Sequence, residues 1–209
     1  MPLIVHDQQY GNTILAVWEI GESEEDLIQL CLGHPDLPGI AALPLRHQRL
    51  EKLAVRALLQ TLMPGATLSH TGSGKPVLDS ANISISHSRG MAAILCSREC
   101  RTGIDIERMG EKVVKLAPRF ASEEELGMIP TSDPSAMLHA IWGAKESIYK
   151  LHGLGELDFR EHIHVLPFSL EKKGILTARL LKQGVQETFT VSYERLENHM
   201  LVWVLSPEL

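Results

Sequence analysis

Gly103-Ile104-Asp105-Ile106-Glu107 and Trp142-Gly143-Ala144-Lys145-Glu146-Ser147-Ile148-Tyr149-Lys150 are the stretches from which the rest of the chain is read. Along a strand alternate side chains share a face, so Asp105 and Glu107 point together while Ile104 and Ile106 point the other way. On a helix, Trp142, Glu146 and Lys150 fall in one i, i+4, i+8 row. Glu146 brought to the Asp105/Glu107 pair gives three hard oxygen donors with a lysine one turn away. That set suits Mg²⁺, which takes carboxylates, waters and a substrate phosphate, and it points to phosphate-ester chemistry. Each half also has a plainer reading. Asp-x-Glu is commonly a solvated strand face, and Glu146 with Lys150 is an ordinary helix ion pair of about 0.2–0.5 kcal/mol.

The 209 residues are 44% hydrophobic and 22% charged, an ordinary globular composition with enough apolar residues for one sizeable core or two small ones. The net charge of −6 argues against a general nucleic-acid footprint, although a local basic patch for an acidic protein partner is compatible with it. Met1 to Tyr10 has no basic region followed by an apolar run, so no secretory signal is expected, and no apolar stretch approaches the ~20 residues of a membrane span. Cysteines 31, 96 and 100 are odd in number and lack metal-ligand spacing; reduced thiols and a cytoplasmic location are the expectation.

Thr13 to Ile20 reads as a strand, and Ser23 opens a capped helix running to about Leu32. His34 to Gly39, with two prolines and a glycine, reads as loop. Leu45 to Met63 is the strongest helix of the first half, with an apolar stripe through Leu50, Leu53, Ala57 and Leu58, closed by Pro64-Gly65. Its start carries Arg46, His47, Arg49 and Lys52, with Arg56 a turn later, either a solvated basic face or a set of phosphate-holding side chains. Thr71 to Pro76 is a loop whose glycines allow close approach to a ligand, but it is not a Walker loop. Asn82 to Ser88 alternates as a half-buried strand with Ile83 and Ile85 inward and Ser84 and Ser86 sharing the other face, and Met91 to Ser97 is its return strand. His87 has no Gly-x-Ser-x-Gly nucleophile elbow to serve.

Beyond the Asp105 strand, 111–120 and 122–127 read as short helices, the second with a capping box that by itself accounts for Glu123 to Glu125. Ser135 to His152 is the long helix of the second half, ended by Gly153-Leu154-Gly155, and 162–166, 175–180, 188–193 and 200–205 read as antiparallel strands. The order implies α+β layers in two sub-domains, 1–102 and 103–209, with the crevice between them the natural place for a ligand.

In order along the chain, Gly74-Lys75-Pro76, Asn82-Ile-Ser-Ile-Ser86-His87-Ser88, Gly103-Ile-Asp105-Ile-Glu107, Phe120-Ala-Ser-Glu-Glu-Glu125, Trp142 to Lys150 and His152 to Gly155 resemble the Sfp-type 4′-phosphopantetheinyl transferases over roughly residues 45 to 206. The resemblance implies a monomeric pseudo-dimer of two similar sub-domains, each with a long helix packed on an antiparallel sheet, with coenzyme A and Mg²⁺ between them. It implies transfer of the 4′-phosphopantetheine arm of coenzyme A to a serine of an apo acyl or peptidyl carrier protein, releasing 3′,5′-ADP. By position, it makes Asp105, Glu107 and Glu146 the metal carboxylates and Lys150 the contact to the α-phosphate. Ser86 and His87 would hold the nucleotide end, residues 71 to 76 would line the adenine side, and Glu146 or Glu125 would receive the serine proton.

The family's basic residue for the 3′-phosphate falls on His47, flanked by Arg46 and Arg49, so which of the three reaches that phosphate is open, and with it a strict preference over dephospho-coenzyme A. Two other classes compete. A Mg²⁺-dependent phosphohydrolase or nuclease would use the same acids but would want a basic groove. A non-catalytic coenzyme A-binding module would have no need of the metal carboxylates.

Overall fold

The computed structural model describes residues 3–7, as backbone, and 12–72, 74–153, 157–182 and 184–207. The chain divides into two compact units, Met1–Glu99 and Cys100–Leu209. The architecture is α+β with antiparallel sheets.

In the first unit the order is β1 (Leu3–Asp7), β2 (Thr13–Glu19), α1 (Glu24–Leu30), α2 (Leu37–Ala41), α3 (Arg46–Leu62), β3 (Leu68–His70), β4 (Pro76–Leu78), β5 (Asn82–Ser88) and β6 (Met91–Ser97). A four-stranded sheet in the order β1-β2-β6-β5 carries α3 against β2, β5 and β6. The stripe read from the sequence supplies its core, with Leu53, Ala57 and Leu58 buried against Trp18, Ala92 and Ile94. Helix α1 starts with the expected capping box, Ser23 and Asp26 each bonding the other's backbone N–H. Two elements escaped the sequence reading. β1 is a short edge strand, and α2 lies in the stretch read as loop, where Pro38 in the first turn needs no hydrogen-bond donor. On β5 the serines of the face opposite Ile83, Ser84 and Ser86, are both buried.

In the second unit the order is β7 (Cys100–Arg108), α4 (Lys112–Phe120), α5 (Glu123–Gly127), α6 (Pro134–His152), α7 (Phe159–His162), β8 (Ile163–Val165), β9 (Lys173–Lys182), β10 (Val185–Leu196) and β11 (His199–Pro207). The five-stranded sheet runs β7-β11-β10-β9-β8. α6 lies on β7 and β11, capped at its start by Asp133, whose side chain accepts from the N–H of Ala136. At its end Gly153 adopts the left-handed conformation, φ 65°, that terminates helices; the rest of the Gly153–Gly155 signal lies outside the described residues. Helix α7 was not anticipated; at four residues it is too short for a periodic signal. Among the described residues no helix is long and apolar enough to cross a membrane.

Two glycines decide how closely α6 sits. A Cβ at Gly103 would collide with the backbone carbonyl of Ser147, and one at Gly143 would lie 2.5 Å from Cγ2 of Val202. Ser147 Oγ in turn donates to the Val202 carbonyl at 3.0 Å. The helix backbone therefore rests on the backbone of β7 at Gly103 and on the Val202 side chain of β11 at Gly143.

A buried ion pair fixes the other side of α6. Lys145 has 0% exposure, and its ammonium donates to Glu125 Oε2 at 2.7 Å and to the carbonyls of Phe159 and Ile163 at 2.8 and 2.6 Å. Glu125 accepts the Val165 N–H on its other oxygen at 2.7 Å and closes the α5 capping box with Ser122. Four elements, α5, α6, α7 and β8, thus meet on one pair of charges.

Two outcomes are expected. Gly103→Ala must push α6 off β7, because the obstructing atom is backbone, and should lower stability by about 2 kcal/mol or more in urea unfolding; an unchanged midpoint would refute the close contact. Lys145→Met leaves the Glu125 carboxylate buried without its cation and should cost about 3–5 kcal/mol, with Glu125→Gln recovering part of that in the double variant. Purely additive losses would show the pair to be uncoupled.

Candidate functional site

Within the second unit the Gly103 contact brings the Asp105 strand against the helix that carries Glu146 and Lys150. Asp105, 3% exposed, and the half-buried Glu107 lie on β7, and Gly143 of α6 is so close that a Cβ there would stand 3.7 Å from Asp105 Oδ2. A solvated strand face is therefore the wrong description of Asp105. Lys150 donates to Asp105 Oδ1 at 2.8 Å and to the Ile104 carbonyl at 3.0 Å. The lysine bonds to the neighbouring strand, so the plain reading of an ion pair confined to the helix falls short.

Glu146, half-buried one turn before Lys150, has its carboxyl pushed up to about 7. Burial is the main cause, and the negative charges of Asp105 and Glu107 add to it while Lys150 opposes. The other two acids and the lysine read from the sequence therefore all act on Glu146 electrostatically.

As a donor set, three carboxylates fit Mg²⁺ in kind, and the repulsion that Asp105 and Glu107 add to the burial of Glu146 is what a divalent cation would relieve. Among the described residues no group of three or more His, Cys, Asp or Glu side chains is gathered closely enough to hold an ion as it stands. Glu125, the second candidate for the proton acceptor, is placed differently. It is 1% exposed, with Lys145, Ser122 and Val165 all donating to its carboxylate.

The residues expected to hold the nucleotide end divide into two sets. Arg49 gives Nε and Nη2 to Glu24 of α1 and Nη1 to the Leu43 carbonyl at 2.7 Å. Arg46, 64% exposed, lies 3.8 Å from the same carboxylate. Arg56 is buried and bound to Asp36, a structural pair between α3 and the start of α2. His47, by contrast, lines a cavity of about 400 Å³ together with Ile20, Leu50, Glu51, Arg89 and Gly90. Nδ1 of the exposed His87 lies 3.1 Å from the buried Glu51, and Ser86 is buried on the same strand.

The loop ahead of β4 is built by Thr71, whose N–H bonds the Lys75 carbonyl at 2.9 Å and whose hydroxyl accepts the Lys75 N–H at 3.1 Å. Gly74 takes φ +83° there, Lys75 is exposed, and Pro76 opens β4. The sequence reading passed over Glu51 and Arg89. Glu51 is hidden in a basic run, and the signal for Arg89 was its place in the two-residue turn after Ser86-His87.

Residues 101–202 match the family model ACPS, the 4′-phosphopantetheinyl transferase superfamily. The matched span takes in Asp105, Glu107, Glu125, Glu146 and Lys150 and lies wholly in the second unit. No curated protein gives a significant match. Over residues 101–202, just under half of the chain, the second compact unit is similar to the 4′-phosphopantetheinyl transferase superfamily.

Proposed function

We propose that this protein transfers the 4′-phosphopantetheine arm of coenzyme A to a serine hydroxyl of an apo acyl or peptidyl carrier protein, with Mg²⁺ held by Asp105, Glu107 and Glu146. The observation that carries this reading is the Glu146 carboxyl, pushed up to about 7 beside Asp105, Glu107 and Lys150 on a family-matched helix and strand. Such crowding of acids has no structural purpose of its own, and it suits a site that receives a cation and a polyphosphate.

In the reaction the serine Oγ forms a bond to the phosphorus bearing the pantetheine arm, the pyrophosphate P–O bond breaks, and 3′,5′-ADP leaves. Mg²⁺, when bound, supplies charge neutralisation to the pyrophosphate. Glu146 is the acceptor of the serine proton, because it stands beside Asp105 and Lys150 while Glu125 is committed to Lys145. The Lys150 ammonium, held by Asp105 and the Ile104 carbonyl, offsets negative charge gathering on the phosphates. Ser86, His87 and the loop at Gly74, Lys75 and Pro76 serve the nucleotide end. The reading includes a cytoplasmic monomer, and the net charge of −6 supports a protein and nucleotide substrate over nucleic acid.

Intact-mass spectrometry of apo carrier proteins incubated with the enzyme, coenzyme A and Mg²⁺ should show a gain of about 340 Da, the mass of one transferred arm, abolished by EDTA and by Asp105→Ala. No gain on either acyl or peptidyl carriers would remove the proposal.

The site also predicts a pH effect on stability without metal. The folded pKa of Glu146, about 7, exceeds its ordinary 4.5, so the folded state binds the proton more tightly and loses stability as the pH rises from about 4.5 through about 7. Glu146→Gln should therefore raise the melting temperature relative to wild type more at pH 8 than at pH 4. Mg²⁺ at pH 8 should stabilise the wild type and have little effect on the variant. Equal responses to Mg²⁺ in both would exclude Glu146 from the metal site.

A further inference from the structure

Three acids and a lysine serve the proposed reaction, and one buried imidazole on the same side of α6 is left without a role. His139, Gly143, Glu146 and Lys150 follow at i, i+4, i+7 and i+11, a single face of the helix. The glycine contacts fix the register of that face on β7. The Ser147 carbonyl lies at Gly103, and a Cβ on Gly143 would stand 3.7 Å from Asp105 Oδ2, so four residues of α6 match two of β7. Four helical residues advance about 6 Å and two strand residues about 6.6 Å, so the spacing persists. The same step taken once more brings His139 level with Glu107.

His139 is 7% exposed, and its Nδ1 lies 2.8 Å from the Ser135 carbonyl, the ring's one hydrogen-bond partner among the described residues. A carbonyl only accepts, so Nδ1 carries the hydrogen. Burial lowers the ring's affinity for a second proton and outweighs the Ser135 bond and the negative charges of Asp105 and Glu111, which raise it. The ring is therefore neutral at neutral pH, with its lone pair on Nε2. Asp105 lies on β7 and Glu111 at the start of α4, and Ser135 Oγ donates to the carbonyl of Gly110 between them at 3.3 Å. This end of α6 is thus held against the β7–α4 connection, beside the acids. A ring whose tautomer is fixed by a backbone carbonyl, with the other nitrogen left to accept, is how proteins present imidazole to a cation or to its waters. Direct ligation is not what this arrangement offers, because no three such side chains are gathered tightly among the described residues. Mg²⁺ in addition keeps several of its waters.

We propose that His139 is a positioning residue of the cation site: its Nε2 accepts a hydrogen bond from a hydration water of the Mg²⁺ held by Asp105, Glu107 and Glu146. The role rests on the reading above for the identity of that cation site, and it does not depend on coenzyme A or on which carrier protein is served.

Isothermal titration of Mg²⁺ into wild type, His139→Gln and His139→Phe, without coenzyme A or carrier, tests it. Glutamine keeps an acceptor oxygen; phenylalanine fills the space and has none. His139→Phe should weaken Mg²⁺ by about tenfold or more, and His139→Gln by less than about threefold. Thermal unfolding in EDTA shows whether each variant is folded, and His139→Leu replaces the phenylalanine variant if that one is not. A merely structural role would lower both melting temperatures and leave the affinity alone. The proposal is overturned if the apolar variant binds Mg²⁺ as the wild type does, or if His139→Gln loses as much as His139→Phe. Equal affinity in all the variants leaves the cation site and the transferase reading standing, whereas a wild type that binds no Mg²⁺ removes the cation site and the role of His139 together.

Discussion

The contact on which the second unit depends is the meeting of two backbones, α6 and β7, at a point where neither has a side chain to spare. Because Gly103 has no Cβ, the Ser147 carbonyl can lie against the strand, and because Gly143 has none, the helix can settle onto Val202 one turn further along. Side chains reach only a few ångströms, so the depth of this seat decides whether groups on the helix and the strand act as one site. Lys150 reaches Asp105 at 2.8 Å because the helix is seated this closely. Substitution at either glycine would separate the charges before it touched any of them, which is why a glycine distant from the chemistry by type is close to it in effect.

The pair Lys145-Glu146 links that seat to the core. Neighbours on a helix point about 100° apart, so one residue of the pair turns into the protein while the other turns to the site. Lys145 is fixed by a carboxylate and two carbonyls contributed by α5, α7 and β8, and this limits rotation of α6 about its own axis. The rotation of the helix sets where Glu146 and Lys150 aim. A cation in the core is a costly device for holding a helix, since two charges must be desolvated, but its three directional bonds fix an orientation that apolar packing leaves softer.

Much of this was legible in the sequence because period and spacing survive folding. The i, i+2 acids on β7, the i, i+4 row on α6 and the capping residues at Ser23 and Ser122 are local patterns, and the elements follow from them. What was not legible was tertiary. Arg46 and Arg49 were candidates for a ligand by position in α3, yet their partner Glu24 lies on α1, which no spacing rule connects to them. Glu125 looked like a spare acid with a capping role; its main partner, Lys145, lies on another helix. Arg89 was overlooked because a hairpin loop carries no periodic signal, and α2 and α7 because four or five residues are too few to show one.

The two lysines of α6 differ in how their charges are matched within a single helix. Lys145 meets one acid and two carbonyls in a space closed to water, and its electrostatic account is balanced: positive with negative, every donor used. Lys150 donates to Asp105, and Glu146 feels the charges of Asp105, Glu107 and Lys150, so one positive charge stands near more than one acid. Part of the imbalance is absorbed by Glu146, which keeps its proton to about pH 7 and surrenders it only against burial and two like charges. Selection for stability alone would remove such an arrangement, because replacing one acid by a neutral residue would end the repulsion at no cost to packing. Under the proposed function the excess acid is capacity held for a ligand: a cation would satisfy the carboxylates, and the lysine would then be available to the phosphate oxygens that arrive with it. The same sign of argument applied to Glu125 gives the opposite result, since its charge is already matched and nothing remains for it to receive.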